Sequence, residues 1–144
     1  MDTVLLKKMS YKGESPLLLA NVPETLLETF KDWIKESVAQ DHDSALSFAF
    51  VFVQKQEDLN QWIHKLCPLM EGDAPLWFAY PKKSSKRFKS EITRDSGWNH
   101  IGQYNMEPVR QIAIDEDWSA LRFRKLEYIK KLTRRDSMRL SPKK

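Results

Sequence analysis

Residues 46–53 read LSFAFVFV, residues 55–70 read KQEDLNQWIHKLCPLM, and residues 76–80 read LWFAY. The first and third runs are continuous, aromatic and β-branched, as expected of strands covered on both faces. The middle run repeats at helical spacing, with Leu59, Trp62, Ile63, Leu66 and Met70 on one face. Glu57 and Asp58 lie in its first turn, where carboxylates complement the helix dipole. Pro68 should kink or end the last turn, and residues 71–75 (EGDAP) form a turn. Strand, helix and strand in this order predict a parallel pair with a helical crossover.

Working outward, residues 16–22 (PLLLANV) predict a further buried strand. Pro23 then opens a helix of about three turns reaching Glu36, with Leu26, Leu27, Phe30, Trp33 and Ile34 at helical spacing. Residues 3–11 fit a short amphipathic helix broken at Gly13. Residues 37–44 are polar, and either a short edge strand or a loop fits them. Downstream, Thr93 is placed to cap a helix carrying Trp98, Ile101 and Tyr104. Residues 108–114 and 118–123 fit two strands joined by the acidic turn Asp115, Glu116, Asp117. Leu126, Ile129 and Leu132 predict a terminal helix. The expected fold is a three-layer Rossmann-like α/β sandwich. Its sheet should be mostly parallel, with a C-terminal antiparallel hairpin.

The 144 residues suit one domain, assigned to residues 1–136, with 137–144 a basic tail. The net charge of +4 is unevenly spread. From residue 122 to 144 ten cations face two acids, so residues 1–121 are net acidic. A solvated tail and a polyanion-binding tail both fit this pattern. Cys67 is the lone cysteine, which excludes an intrachain disulfide, and its neighbours favour core packing. No apolar run approaches the roughly 20 residues of a membrane span, and no leader pattern opens the chain. A cytoplasmic protein of bacterial type, without membrane contact, is expected.

The chemistry-bearing residues cluster after residue 80. Residues 82–94 hold Lys82, Lys83, Lys86, Arg87, Lys89 and Arg94 against Glu91. In open α/β sheets ligands bind beyond the carboxyl ends of strands. Lys82, Ser84, Ser85, Lys86 and Arg94 are therefore candidate ligands for an anion, helped by backbone N–H groups of the next helix. A solvated loop is the plain alternative. Thr93, Arg94 and Asp95 also read as a helix start, and Asp115 is a candidate ion-pair partner of Arg94. Trp98 and Trp118 would stack on a base or sugar if exposed, or fill the core if buried. His42, His64 and His100 fall on different elements, and no His/Cys/Asp/Glu spacing matches a metal site. No phosphate-cradling glycine loop and no nucleophile elbow is present.

The segment WFAYPKKSSKRFKSEITRDSGWNHIG, continuing into EPVRQIAIDEDWSALRFRK, is similar to a family of small uncharacterised bacterial proteins. The shared pattern is Tyr-Pro-Lys at 80–82, a Ser-Lys pair at 85–86, Thr-Arg-Asp at 93–95, Trp98, Pro-Val at 108–109, Ile-Asp at 114–115 and Trp-Ser-Ala-Leu-Arg-Phe at 118–123. That family has no assigned activity. The element order also resembles the second half of a class I methyltransferase fold over residues 46–124. There the resemblance implies a fourth strand, its helix, a fifth strand and a closing antiparallel pair. The glycine-rich turn that lets adenosylmethionine approach is replaced by Ala20, Asn21, Val22 and Pro23. That turn is expected to obstruct the cofactor, so no cofactor is assigned. The leading expectation is a non-catalytic module for an anionic ligand or partner. The alternatives are an enzyme acting on a phosphorylated or carboxylated small molecule and a nucleic-acid-associated protein.

Overall fold

A computed structural model describes residues 3–129. Five strands form one sheet in the order β1-β2-β3-β5-β4. They are β1 (Leu17–Ala20), β2 (Phe48–Phe52), β3 (Leu76–Pro81), β4 (Met106–Ala113) and β5 (Trp118–Lys125). β1, β2 and β3 pair in parallel, with Leu19 beside Phe50 and Phe50 beside Trp77. β5 then pairs antiparallel with both β3 and β4. The sheet is therefore mixed rather than mostly parallel. β5 is inserted between β3 and β4, and β4 forms the border.

Composition explains this placement. β5 is buried through its first four residues, Trp118–Leu121, whereas β4 exposes Val109, Arg110 and Gln111. Pro108 in β4 cannot donate a ladder hydrogen bond, which suits a border strand. The β4–β5 register also shifts between Pro108 and Arg110. At the opposite border, Ser37 Oγ accepts from the Leu19 amide at 2.9 Å, and the Val38 amide donates to the Leu17 carbonyl at 2.9 Å. This segment satisfies backbone groups that an open edge would leave unpaired.

Helices cover both faces. Leu5 and Met9 of the first helical segment, with Phe30 and Trp33, pack on Leu17, Leu19, Phe48, Phe50, Phe52 and Trp77. Leu59, Ile63, Leu66 and Ile101 pack on Leu18, Val51, Phe78, Leu121 and Phe123 on the other face. Alternate residues of each strand feed opposite layers, as a pleat demands. The helices are α1 (Thr3–Lys8), α2 (Lys31–Glu36), α3 (Gln56–Leu66) and α4 (Asn99–Gly102).

Two expected helices differ. The segment opened by Pro23 splits into a 3₁₀ turn, Glu24–Leu26, and α2, with Phe30 outside helical geometry between them. Pro68 ends α3 as expected, and a 3₁₀ turn at Cys67–Leu69 follows. Thr93 does not cap a helix. Its carbonyl and amide exchange hydrogen bonds with Ser96, and its hydroxyl meets Ser96 Oγ at 2.8 Å. α4 is a single turn that starts only at Asn99. Gly97 explains the interruption, because its φ of +101° is closed to most side chains. A Cβ there would stand 2.8 Å from Gln56 Oε1. The Gly97 carbonyl accepts from Gln56 Nε2 at 2.7 Å, which fastens this turn to α3. After β5 a 3₁₀ turn covers Leu126–Tyr128. The rest of the expected terminal helix and the basic tail lie outside the described residues.

Candidate functional site

β3 is the middle strand, and its carboxyl end delivers the cationic segment. The Lys82 amide donates to the Asp117 carbonyl at 2.8 Å, and the Ser85 amide donates back to the Lys82 carbonyl at 3.0 Å. Ser85 Oγ donates to Asp117 Oδ1 at 2.9 Å and accepts from the Phe88 amide at 3.1 Å. Asp117 is buried. Ser85 is thus a clamp that fixes the loop to the β4–β5 turn. Its hydroxyl is already committed at both ends.

A cavity of about 230 Å³ opens beside this clamp. It is lined by Tyr80, Pro81, Lys82 and Lys83 at the end of β3, by residues 92–95, and by Gln111 and Ser119. Lys82, Lys83 and Arg94 contribute three cations against one acid, Asp95. Gln111 Nε2 donates to Tyr80 Oη at 3.1 Å. Burial pushes the Tyr80 hydroxyl above its ordinary value, while the Gln111 hydrogen bond and the Arg94 charge pull the other way. The hydroxyl therefore stays protonated at neutral pH.

The structure brings Lys82, Arg94 and Asp95 together. It separates the other candidates. Ser84 and Lys86 are exposed and line neither this cavity nor the crevice described next. Trp98 and Trp118 are each 2% exposed, so neither offers a free face for stacking. Trp98 fills the core beside Phe123, with centroids 4.8 Å apart, and its Nε1 donates to the Thr93 carbonyl. Trp118 packs on Phe52 and Phe88. Asp115 does not reach Arg94. Its Oδ1 accepts from the amides of Asp117 and Trp118, both at 2.8 Å, and closes the hairpin turn. Among the described residues no ion pair joins it to Arg94. The expected helix N–H groups are also missing from the site, because α4 begins beyond it.

A second cavity, a crevice of about 580 Å³, lies beyond the ends of β1 and β2. Asn21, Glu24, Gln40, Gln54, Lys55 and Asp58 give it a mixed polar lining, with Trp62, Phe88 and Trp118 as apolar walls. The turn after β1 does not close it. Asn21 takes a left-handed φ of 61° and lines the crevice with Pro23.

Sequence reasoning missed Asp117, Gln111 and Ser119. Asp117 lies in the acidic turn between the last two strands, where nothing local marks it as buried. Gln111 and Ser119 join the site only because β5 enters the sheet beside β3. His64 and His100, far apart in the sequence, meet across α3 and α4 with nitrogens 2.7 Å apart.

No protein-family model and no curated protein matches the chain. Solved structures do. The fold is similar to the crystal structure of a candidate type 11 methyltransferase from Sulfolobus solfataricus, at 10% identity and a TM-score of 0.51 over 83% of this chain and 78% of that one. The N-methyltransferase NodS from Bradyrhizobium japonicum WM9 gives 14% identity and 0.48 over 76% of this chain and 72% of that chain. Magnesium protoporphyrin IX methyltransferase from Synechocystis PCC 6803 gives 11% and 0.48 over 76% and 64%. At these identities the likeness concerns architecture, and the first structure carries it. The chain has a methyltransferase-like Rossmann fold. No helix among the described residues is long and apolar enough to cross a membrane.

Proposed function

We propose that this chain is a non-catalytic binding module for a small anionic ligand held at the cavity beyond β3. One observation carries the reading. The Tyr-Pro-Lys segment at 80–82 and the Thr-Arg-Asp segment at 93–95 form two walls of one cavity. Lys82, Lys83 and Arg94 give those walls a surplus of positive charge. The volume lies below the several hundred Å³ usual for cofactor pockets. A phosphate or carboxylate group therefore suits it better than a whole nucleotide. Arg94 would supply a planar fork and Lys82 a point charge. The Ser85–Asp117 clamp fixes the backbone at Lys82 before any ligand arrives, which lowers the cost of ordering this wall. Kinship with the small bacterial proteins belongs to the same proposal, since their shared segments include these two walls.

The test is titration calorimetry with inorganic phosphate, pyrophosphate and citrate, beside short single-stranded DNA. The expected result is saturable binding of a small anion that Lys82→Ala with Arg94→Ala reduces at least ten-fold while the melting temperature hardly moves. Unchanged affinity in that double variant would overturn the site. DNA binding that survives it would move the function to other cations.

A further inference from the structure

We propose that His64 and His100 form a binding site for one divalent transition-metal ion of the nickel and copper type. The two residues are 36 positions apart and come from α3 and α4. His64 Nε2 faces His100 Nδ1 at 2.7 Å, with the rings edge to face at an interplanar angle of 68°. Behind them, His64 Nδ1 meets Tyr104 Oη at 2.6 Å. His64 is exposed and His100 half-buried, so an ion can reach the pair from solvent.

This arrangement has the parts of a two-imidazole chelate. A metal-binding histidine usually has its other ring nitrogen held by an outer partner, which fixes ring orientation and proton position. Tyr104 Oη is so placed toward His64. One proton lies between the facing nitrogens. On metal capture it moves to a far ring nitrogen, which frees both facing lone pairs. His64 Nδ1–H then donates to Tyr104 Oη, and solvent completes the coordination.

The facing nitrogens lie at hydrogen-bond distance, closer than a chelate needs. With metal–nitrogen bonds of about 2.0–2.1 Å, nitrogens at the observed separation subtend about 80° at the metal. Right-angled neighbours in a square or octahedral complex need about 2.9 Å, and tetrahedral zinc needs about 3.3 Å. Nickel and copper thus require a small widening and zinc a larger one. Both rings must also swing so that their lone pairs leave the line joining them, and their exposure permits this.

The test uses the untagged full chain, titrated with NiCl₂ and ZnCl₂ and followed by calorimetry and, for nickel, visible absorption. One Ni²⁺ per chain is expected, bound at least as tightly as Zn²⁺. His64→Ala or His100→Ala should each weaken it about ten-fold or more, and Tyr104→Phe by less. Anion binding at the cavity beyond β3 should be unaffected by these changes. Nickel affinity retained in the double histidine variant would overturn the proposal. So would the absence of saturable nickel binding, or a ten-fold preference for zinc.

Discussion

The two cavities at the carboxyl edge of the sheet lie on opposite sides of β5. Trp118 lines the crevice and Ser119 lines the cationic cavity, because successive side chains of β5 point to opposite faces. Their chemistry nevertheless diverges. The crevice sets Glu24 and Asp58 against Lys55, among amides and aromatics. The smaller cavity sets Lys82, Lys83 and Arg94 against Asp95. Position beyond the strand ends therefore marks both as places where ligands can dock. Only the local charge says which kind each would take.

The largest expected effect separates core from site. Trp98→Ala and Trp118→Ala should each cost about 3–5 kcal/mol in urea denaturation, as truncation of a buried aromatic does. A loss below about 1 kcal/mol would return either ring to the surface and reopen stacking as its role. Next comes the clamp. Asp117→Ala leaves Ser85 Oγ without its acceptor and should cost about 1–3 kcal/mol. It should also speed hydrogen exchange at residues 82–88 while the crevice residues keep their protection.

A pH series sharpens the contrast further. Burial raises the folded-state value of Tyr80 above the usual 10.0. Its contribution to stability is thus fully present below that value and is lost as pH rises through the folded one. Ultraviolet titration should find Tyr80 ionising above its ordinary value, as burial also makes Tyr11 do, and Gln111→Leu should delay Tyr80 further, since that hydrogen bond lowers its value. The smallest effect belongs to Lys86→Ala, which should change stability by less than about 0.5 kcal/mol and leave anion affinity nearly intact. A large loss of affinity would extend the site along the exposed half of the loop.

Much of the architecture was legible because burial writes itself into residue order. The runs at 46–53 and 76–80 became β2 and β3, and the helix between them ended at Leu66, just before Pro68. The position of β5 was harder to read, since a hairpin does not announce which arm docks on the sheet. A signal was available, though. Pro108, Arg110 and Gln111 mark the border arm, whereas Trp118, Ala120 and Leu121 mark the covered one. Within the site, Lys82 and Arg94 were found because a strand exit and a cationic cluster are both local features. Asp117 was missed because a buried carboxylate and a solvated one look alike until its partner, Ser85, is folded against it. The pairing of His64 with His100 depends on α3 meeting α4, which no spacing along the chain encodes.

The most direct test of the anion site is an amide chemical-shift titration of the ¹⁵N-labelled protein with pyrophosphate. Shifts should concentrate at Lys82, Lys83, Thr93, Arg94 and Asp95, with Asn21, Gln40 and Lys55 unmoved. Shifts centred on the crevice residues, with the cationic walls silent, would contradict the anion site.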